Sequence, residues 1–172
     1  MILRTARLEL RHLTPDDAAF VLALLNEPSF ISNIGDRGVR TLDDARAYIA
    51  SGPVASYERH GFGLYCVGLR ENGEPIGICG LLRRDVLPDP DLGFAFLPAY
   101  WKRGYARESA TAVRDYARQA LGIGRLLAIT NPENDASIRV LTALGFRRAG
   151  TTRLSDAAPE LTLFAYDGEQ DA

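Results

Sequence analysis

Between Leu97 and Glu108 the chain reads Pro98-Ala99-Tyr100-Trp101-Lys102-Arg103-Gly104-Tyr105-Ala106-Arg107, and several of these residues suit the binding of an anion. An apolar run precedes the segment and a helical pattern follows it, so it is a strand-to-helix turn. Gly104 and the small Ala106 let a ligand approach the backbone closely, and the first N–H groups of the helix have no partner within it. Lys102, Arg103 and Arg107 add positive potential where the helix dipole is already positive. The same residues also suit a plain glycine turn with a solvated basic edge. The segment matches neither Gly-x-x-x-x-Gly-Lys-Ser/Thr nor Gly-x-Gly-x-x-Gly, the two better-known phosphate loops.

The other reactive residue types point to less. Cys66 and Cys79 fall on strands with no histidine nearby in sequence, which places neither as an acyl-enzyme nucleophile. Two cysteines make no disulfide framework, and His12 and His60, 48 positions apart, lack zinc spacing. No metal is expected, and both histidines are expected at the surface.

The elements that must position the turn are legible from periodicity and breakers. Ala6 to Leu13 alternates as a half-buried strand, and Thr14-Pro15-Asp16-Asp17 opens a helix that Pro28 stops near Asn26. Thr41-Leu42-Asp43-Asp44 opens another to about Ala50, broken by Gly52-Pro53, with a short helix over 54–60. The runs 64–70 and 75–82 flank Glu71-Asn72-Gly73-Glu74 and predict a hairpin. A strand over 91–97, a helix over 104–121 and a strand over 125–130 form a crossover unit, so these two strands are parallel. A helix over 136–144 and strands over 146–153 and 161–166 complete the order. With 172 residues, 47% hydrophobic, and no linker or repeat, the chain reads as one α/β (α+β) domain over 1–166 with an acidic, flexible tail over 167–172. Twenty basic against 22 acidic side chains, net charge −2, give no cationic field for nucleic acid or anionic lipid. The longest apolar stretch, Ala18 to Leu25, is too short to span a bilayer, and a cytoplasmic protein is expected.

The run from Leu92-Gly93-Phe94-Ala95-Phe96-Leu97 through the loop to Glu108 closely resembles the acetyl-CoA-binding segment of the GNAT superfamily of N-acetyltransferases. Asn131-Pro132-Glu133-Asn134-Asp135-Ala136-Ser137-Ile138-Arg139-Val140-Leu141, ending in Leu144-Gly145-Phe146, resembles the next motif of its ribosomal-protein-alanine N-acetyltransferase branch. Leu8-Glu9-Leu10-Arg11 and Ile76-Gly77-Ile78-Cys79-Gly80 also fit, so the likeness covers roughly residues 5–166. It implies a mixed, mostly antiparallel sheet of about seven strands, splayed between the two parallel ones and flanked by about four helices. Three positions depart from the pattern. Trp101 and Lys102 open the loop where the superfamily has Gln/Arg and this branch often has Gly, and Leu141 stands where many members carry a tyrosine as thiolate acid.

The resemblance also implies the chemistry. Acetyl transfer from a thioester needs a neutral amine, a polarised carbonyl and a proton or hydrogen bond for the departing thiolate. The pantetheine arm pairs between the splayed strands near Phe94 to Leu97 and Ala128 to Thr130, with the N–H of Phe96 or Leu97 as oxyanion donor. Backbone from about Arg103 to Arg107 holds the pyrophosphate, so that Lys102, Arg103, Gly104, Tyr105, Ala106 and Arg107 join Phe96, Leu97, Thr130, Asn134 and Arg139 as cofactor-binding residues. Ser137 replaces the missing tyrosine at the sulfur and Asn134 anchors the pantetheine, although the pair also suits a helix cap and first turn. Asp91 stands where the branch has Glu before a Gly-aromatic pair and is the candidate base. An α-amino group, with a pKa of about 7.7 to 8.0, needs little help to become neutral and is the favoured acceptor over lysine at about 10.4.

The implied protein is an acetyl-CoA-dependent N-acetyltransferase that moves acetyl to a primary amine, a protein N-terminus or a small molecule, by direct transfer in a ternary complex. It needs no metal and is expected to be a monomer or homodimer. The alternatives are a non-catalytic acyl-CoA-binding or sensing domain and a transferase using a longer acyl-CoA. Tyr48, Tyr57, Phe62, Tyr65, Tyr100 and Trp101 suit either an acceptor pocket or the core, and Glu108 suits a helix-dipole partner. A two-residue Asn72-Gly73 turn would set Cys66 opposite Cys79 on one face of the hairpin, as free thiols in contact.

Overall fold

A computed structural model describes residues 1–168. Its sheet has eight strands: β1 (Leu3–Arg4), β2 (Leu8–His12), β3 (Leu64–Leu69), β4 (Pro75–Leu82), β5 (Asp91–Phe96), β6 (Arg125–Thr130), β7 (Arg147–Thr152) and β8 (Leu161–Asp167), in the order β1-β2-β3-β4-β5-β6-β8-β7. All neighbours are antiparallel except β5 and β6, the parallel pair expected from the crossover. The strand count exceeds the expected seven by the two-residue β1, too short for a pattern to reveal.

Six α-helices cover the faces: α1 (Ala18–Leu25), α2 (Pro28–Asn33), α3 (Leu42–Ile49), α4 (Ala55–His60), α5 (Tyr105–Gln119) and α6 (Asp135–Ala143). Two departures from the sequence reading involve proline. The first helix ends near Asn26 as expected, but Pro28 also opens the unexpected α2, at whose first position its missing N–H is no loss. The Gly52-Pro53 break does not separate α3 from α4, because a π turn over Ala50–Val54 carries Pro53 between them.

Alternation along the central strands divides the core. Leu92 and Phe96 pack with Val67, Cys79 and Leu81 against Ala110, Val113 and Ala117 of α5. Cys66 and Ile78 point the other way, against Val21 and Leu24 of α1 and Ala45 and Ile49 of α3. The cysteine pairing is therefore corrected. Tyr65 faces Cys79 and Cys66 faces Ile78. The loop is longer than expected, since Leu69 N–H donates to the Glu74 carbonyl at 3.0 Å and Gly73 N–H to Leu69 at 2.7 Å. That change alone shifts the register by two and keeps both thiols on one face. A bulge follows: Gly68 pairs with Pro75 but Val67 with Gly77, leaving Ile76 as the extra residue, and the single-residue shift puts Cys79 on the opposite face.

At the C-terminal end β8 runs on through Asp167, and Gly168 N–H donates to the Gly124 carbonyl at 3.0 Å. The remainder of the expected tail, 169–172, lies outside the described residues.

Candidate active site

β5 and β6 are paired in register at one position, Asp91 with Leu127, fixed by Leu127 N–H donating to the Pro90 carbonyl at 2.9 Å. Beyond that pair the ladder ends and the strands separate. Antiparallel pairing alternates, so the bond from Leu97 N–H to the Ile76 carbonyl (3.0 Å) defines which β5 groups face β4. Leu97 N–H is thereby committed to β4, and of the two expected oxyanion donors only Phe96 turns its N–H toward the opening. The Phe96 carbonyl, on the same edge, accepts from the Trp101 indole Nε1 at 2.8 Å. Trp101 folds back on the end of β5 and is no part of an acceptor pocket.

The turn after β5 is built as a close approach. Lys102 and Gly104 both adopt positive φ, 60° and 82°. Lys102 is the single non-glycine residue among those described with a positive φ, a conformation L-residues enter at a cost. Glu108 N–H makes the first helical bond of α5, to the Gly104 carbonyl at 3.0 Å, so the N–H groups of Tyr105, Ala106 and Arg107 precede the ladder. Lys102, Arg103 and Arg107 are exposed around them. Glu108 anchors the turn: it accepts from the Thr5 hydroxyl (2.6 Å), Arg7 N–H (2.9 Å) and the Arg7 guanidinium (2.7 Å). Arg7 in turn donates to the Arg103 carbonyl at 2.9 Å and lies 4.4 Å from the Tyr105 ring centroid. These bonds tie the start of α5 to the chain before β2.

A cavity of about 370 Å³ opens where β5 and β6 diverge. It brings together Asp91, Thr130, Asn134 and Ser137 of the expected site residues. Phe96, Leu97, the 102–107 turn and Arg139 do not line it, and Arg139 is exposed on α6. Ser137 and Leu141 lie one turn apart on the same face of α6, both lining the cavity. The Asn134 side chain caps α6, its Oδ1 accepting Ser137 N–H at 3.3 Å. The Ser137 hydroxyl takes no part in that cap. The Thr130 hydroxyl, buried in the wall, has no hydrogen-bond partner, which is uncommon for a buried polar group.

Asp91 is only 1% exposed, and Arg84 Nε donates to both of its oxygens at 3.2 Å. Burial pushes its carboxyl up from the usual range, and the Arg84 guanidinium opposes this without cancelling it. A buried carboxyl with a raised pKa is more basic when ionised, the property a base needs. Arg84 went unnoticed in the sequence. Its signal lay in the register: Leu82, the last residue of β4, faces Asp91, and Arg84 follows two residues on in the chain.

The remaining wall comes from α2, α3 and the loop between them, through Phe30, Asn33, Arg37 and Tyr48. Of the six aromatics proposed for an acceptor pocket, Tyr48 alone lines it. Phe62 and Tyr65 are core, and Tyr57 stacks beside Tyr65 at 5.6 Å. Tyr100 donates to Glu74 at 2.8 Å. His12 and His60 are exposed, as expected. Burial pushes the Cys66 and Cys79 thiols up to about 12 each, so neither supplies a thiolate at neutral pH. Among the described residues, no group of His, Cys, Asp and Glu is arranged to hold a metal, and no helix is long and apolar enough to cross a membrane.

A splayed parallel pair followed by an uncapped helix start is the architecture of an acetyltransferase, and comparison with known proteins agrees. Residues 7–147 match the acetyltransferase (GNAT) domain, and the chain belongs to that family. An uncharacterised N-acetyltransferase of Bacillus subtilis, YoaA, is 28% identical over 153 residues, 88% of this chain and 86% of its own. The crystal structure of an acetyltransferase from Agrobacterium tumefaciens superposes with a TM-score of 0.79 at 28% identity, covering 95% of this chain and 92% of that one. The RimL ribosomal L7/L12 α-N-protein acetyltransferase in complex with coenzyme A has the same fold, with a TM-score of 0.84 at 16% identity over 99% of both chains. The protein is an N-acetyltransferase, and its family uses acetyl-CoA as co-substrate.

Proposed function

We propose that the protein transfers acetyl from acetyl-CoA directly to a primary amine held in the cavity between β5 and β6, with no acyl-enzyme. The observation that supports this best is the opening itself, which leaves Phe96 N–H without a strand partner and runs into a cavity bearing Asp91 and Ser137. The cofactor fits the residues present: a free strand edge suits the pantetheine amides, and the orphan Thr130 hydroxyl and Asn134 lie beside it. The N–H groups from Gly104 to Arg107, with Lys102, Arg103 and Arg107 around them, suit a pyrophosphate. Bound there, acetyl-CoA supplies an activated acetyl thioester.

Each protein group then has one task. Phe96 N–H stabilises the negative charge that develops on the acetyl oxygen. Asp91 takes the proton of an acceptor that arrives as an ammonium, directly or through water. As the N–C bond forms and the C–S bond breaks, the Ser137 hydroxyl donates to the departing sulfur in place of the tyrosine that Leu141 replaces. The high thiol pKa values of Cys66 and Cys79 speak for a ternary complex over a covalent relay. The likeness to ribosomal-protein acetyltransferases makes a protein N-terminus the first acceptor to try, and its low amine pKa agrees. Incubation with acetyl-CoA and a panel of amines, following free thiol, is the test. Amine-dependent thiol release is expected. Tight CoA binding with no release for any amine would identify a sensing domain, and release only with a longer acyl-CoA would identify the other alternative.

A further inference from the structure

The acceptor end of the cavity has an unusual charge balance. Arg37 and Arg84 line it, and the single carboxylate there is Asp91, already held by Arg84. Arg37, an exposed residue of the α2–α3 loop, lines the cavity and pairs with no carboxylate among the described residues. Tyr48 lines the same cavity: burial pushes its phenol up, and the charges of Arg37 and Arg84 act against that rise. A second cavity of about 300 Å³ adjoins the first, sharing Tyr48, Leu64 and Leu82. It adds Arg59, His60 and Arg83 and no carboxylate. A site for a polyamine would need the opposite, carboxylates to receive the second and third ammonium groups.

We infer that the acceptor is an amine bearing a carboxylate close to its nitrogen, the carboxylate meeting Arg37 while the amine lies at Asp91. This rests on the acetyl-transfer reading above and narrows it to a substrate class. The ammonium is drawn to the one negative group in the cavity, and the acid to the one cation without a partner. A planar guanidinium is the side chain best matched to a carboxylate. Two sources share this chemistry, a free acidic amino acid and a peptide beginning with acidic residues, and the second cavity gives a longer acceptor room to continue.

The test compares glutamate, a Glu-Glu-Gly peptide and spermidine by thiol release, with calorimetric titration of N-acetylglutamate and N-acetylspermidine as a readout independent of turnover. Both acidic amines are expected to exceed spermidine in kcat/KM by about tenfold or more, and N-acetylglutamate to bind more tightly than N-acetylspermidine. Arg37→Glu is expected to lower kcat/KM for the acidic amines by about tenfold while CoA affinity stays the same. Either acidic amine ahead of the other supports the inference, the peptide assigning the second cavity to its continuation. Spermidine equal to or better than the acidic amines, or an Arg37→Glu variant that still prefers them, would overturn it and leave acetyl transfer standing. Absence of thiol release from every amine would fell both.

Discussion

Ser137→Ala separates two roles that the sequence alone could not. If Ser137 were the cap of α6, losing its hydroxyl would cost about 1 kcal/mol of stability. The structure assigns the cap to the Asn134 side-chain Oδ1, which accepts the backbone N–H of Ser137, and alanine at 137 keeps that N–H. Alanine also has a helix propensity better than that of serine by a few tenths of a kcal/mol. The expected change in stability is therefore close to zero, whereas Asn134→Ala should cost ~1 kcal/mol, or roughly 2–4 °C in Tm for a chain of this size. Activity should follow a different order. A group donating to the departing sulfur acts mainly in the transition state, so Ser137→Ala should lower turnover at saturating acetyl-CoA by ~100-fold, about 2.7 kcal/mol. Cofactor affinity should barely change. Thermal unfolding, CoA calorimetry and thiol release on the same preparations give the three numbers. Undiminished turnover per folded molecule would refute the donor role.

Gly104→Val forces a β-branched residue to φ 82° and puts its Cβ 3.3 Å from the Arg7 guanidinium, so CoA affinity should fall by about tenfold, and unchanged affinity by calorimetry would remove the turn from the binding site. Asp91→Asn keeps an oxygen for Arg84 but cannot take a proton. It should lower kcat/KM by ~100-fold and abolish an acidic limb lying above the ordinary Asp range, whereas an unaltered pH profile would dismiss Asp91 as base. Asp17 accepts from both terminal nitrogens of Arg11, Nη1 and Nη2, at 2.8 Å and from Thr14 N–H at 2.9 Å. Burial pushes its carboxyl up, but these bonds outweigh burial and hold it below the usual range. Its stabilisation is therefore present above the unfolded value of about 3.9 and is lost as pH falls through the lower folded value. Asp17→Asn should cost ~1.5 kcal/mol at pH 7 and flatten the acid side of the stability curve, as chemical denaturation across pH will reveal.

The turn at Gly104 and the parallel strands were legible because their signals are local. A glycine at a helix start, spaced apolar residues in α5 and a strand on either side leave few alternative topologies. The cysteine register was not legible in that way. Its error arose twice, in a turn longer than Asn72-Gly73 and in a bulge at Ile76, and nothing in the hairpin sequence marks the bulge. Pro28 shows a second limit, since a proline that ends one helix can begin the next. The site divides along the same line. Asp91, Asn134 and Ser137 were found through motifs, whereas Arg37, Arg84 and Tyr48 come from three separate elements and meet only once the sheet register and the α2–α3 loop are set.

Direct transfer is tested most plainly by the mass of the intact protein and of the amine after exposure to acetyl-CoA, with and without acceptor. Without an amine the protein should keep its own mass and release no thiol. With one, each thiol released should match one acetyl group on the amine, while Cys66 and Cys79 stay unmodified. A protein that gains an acetyl group and passes it on, or thiol release unmatched by acetylated amine, would contradict the account.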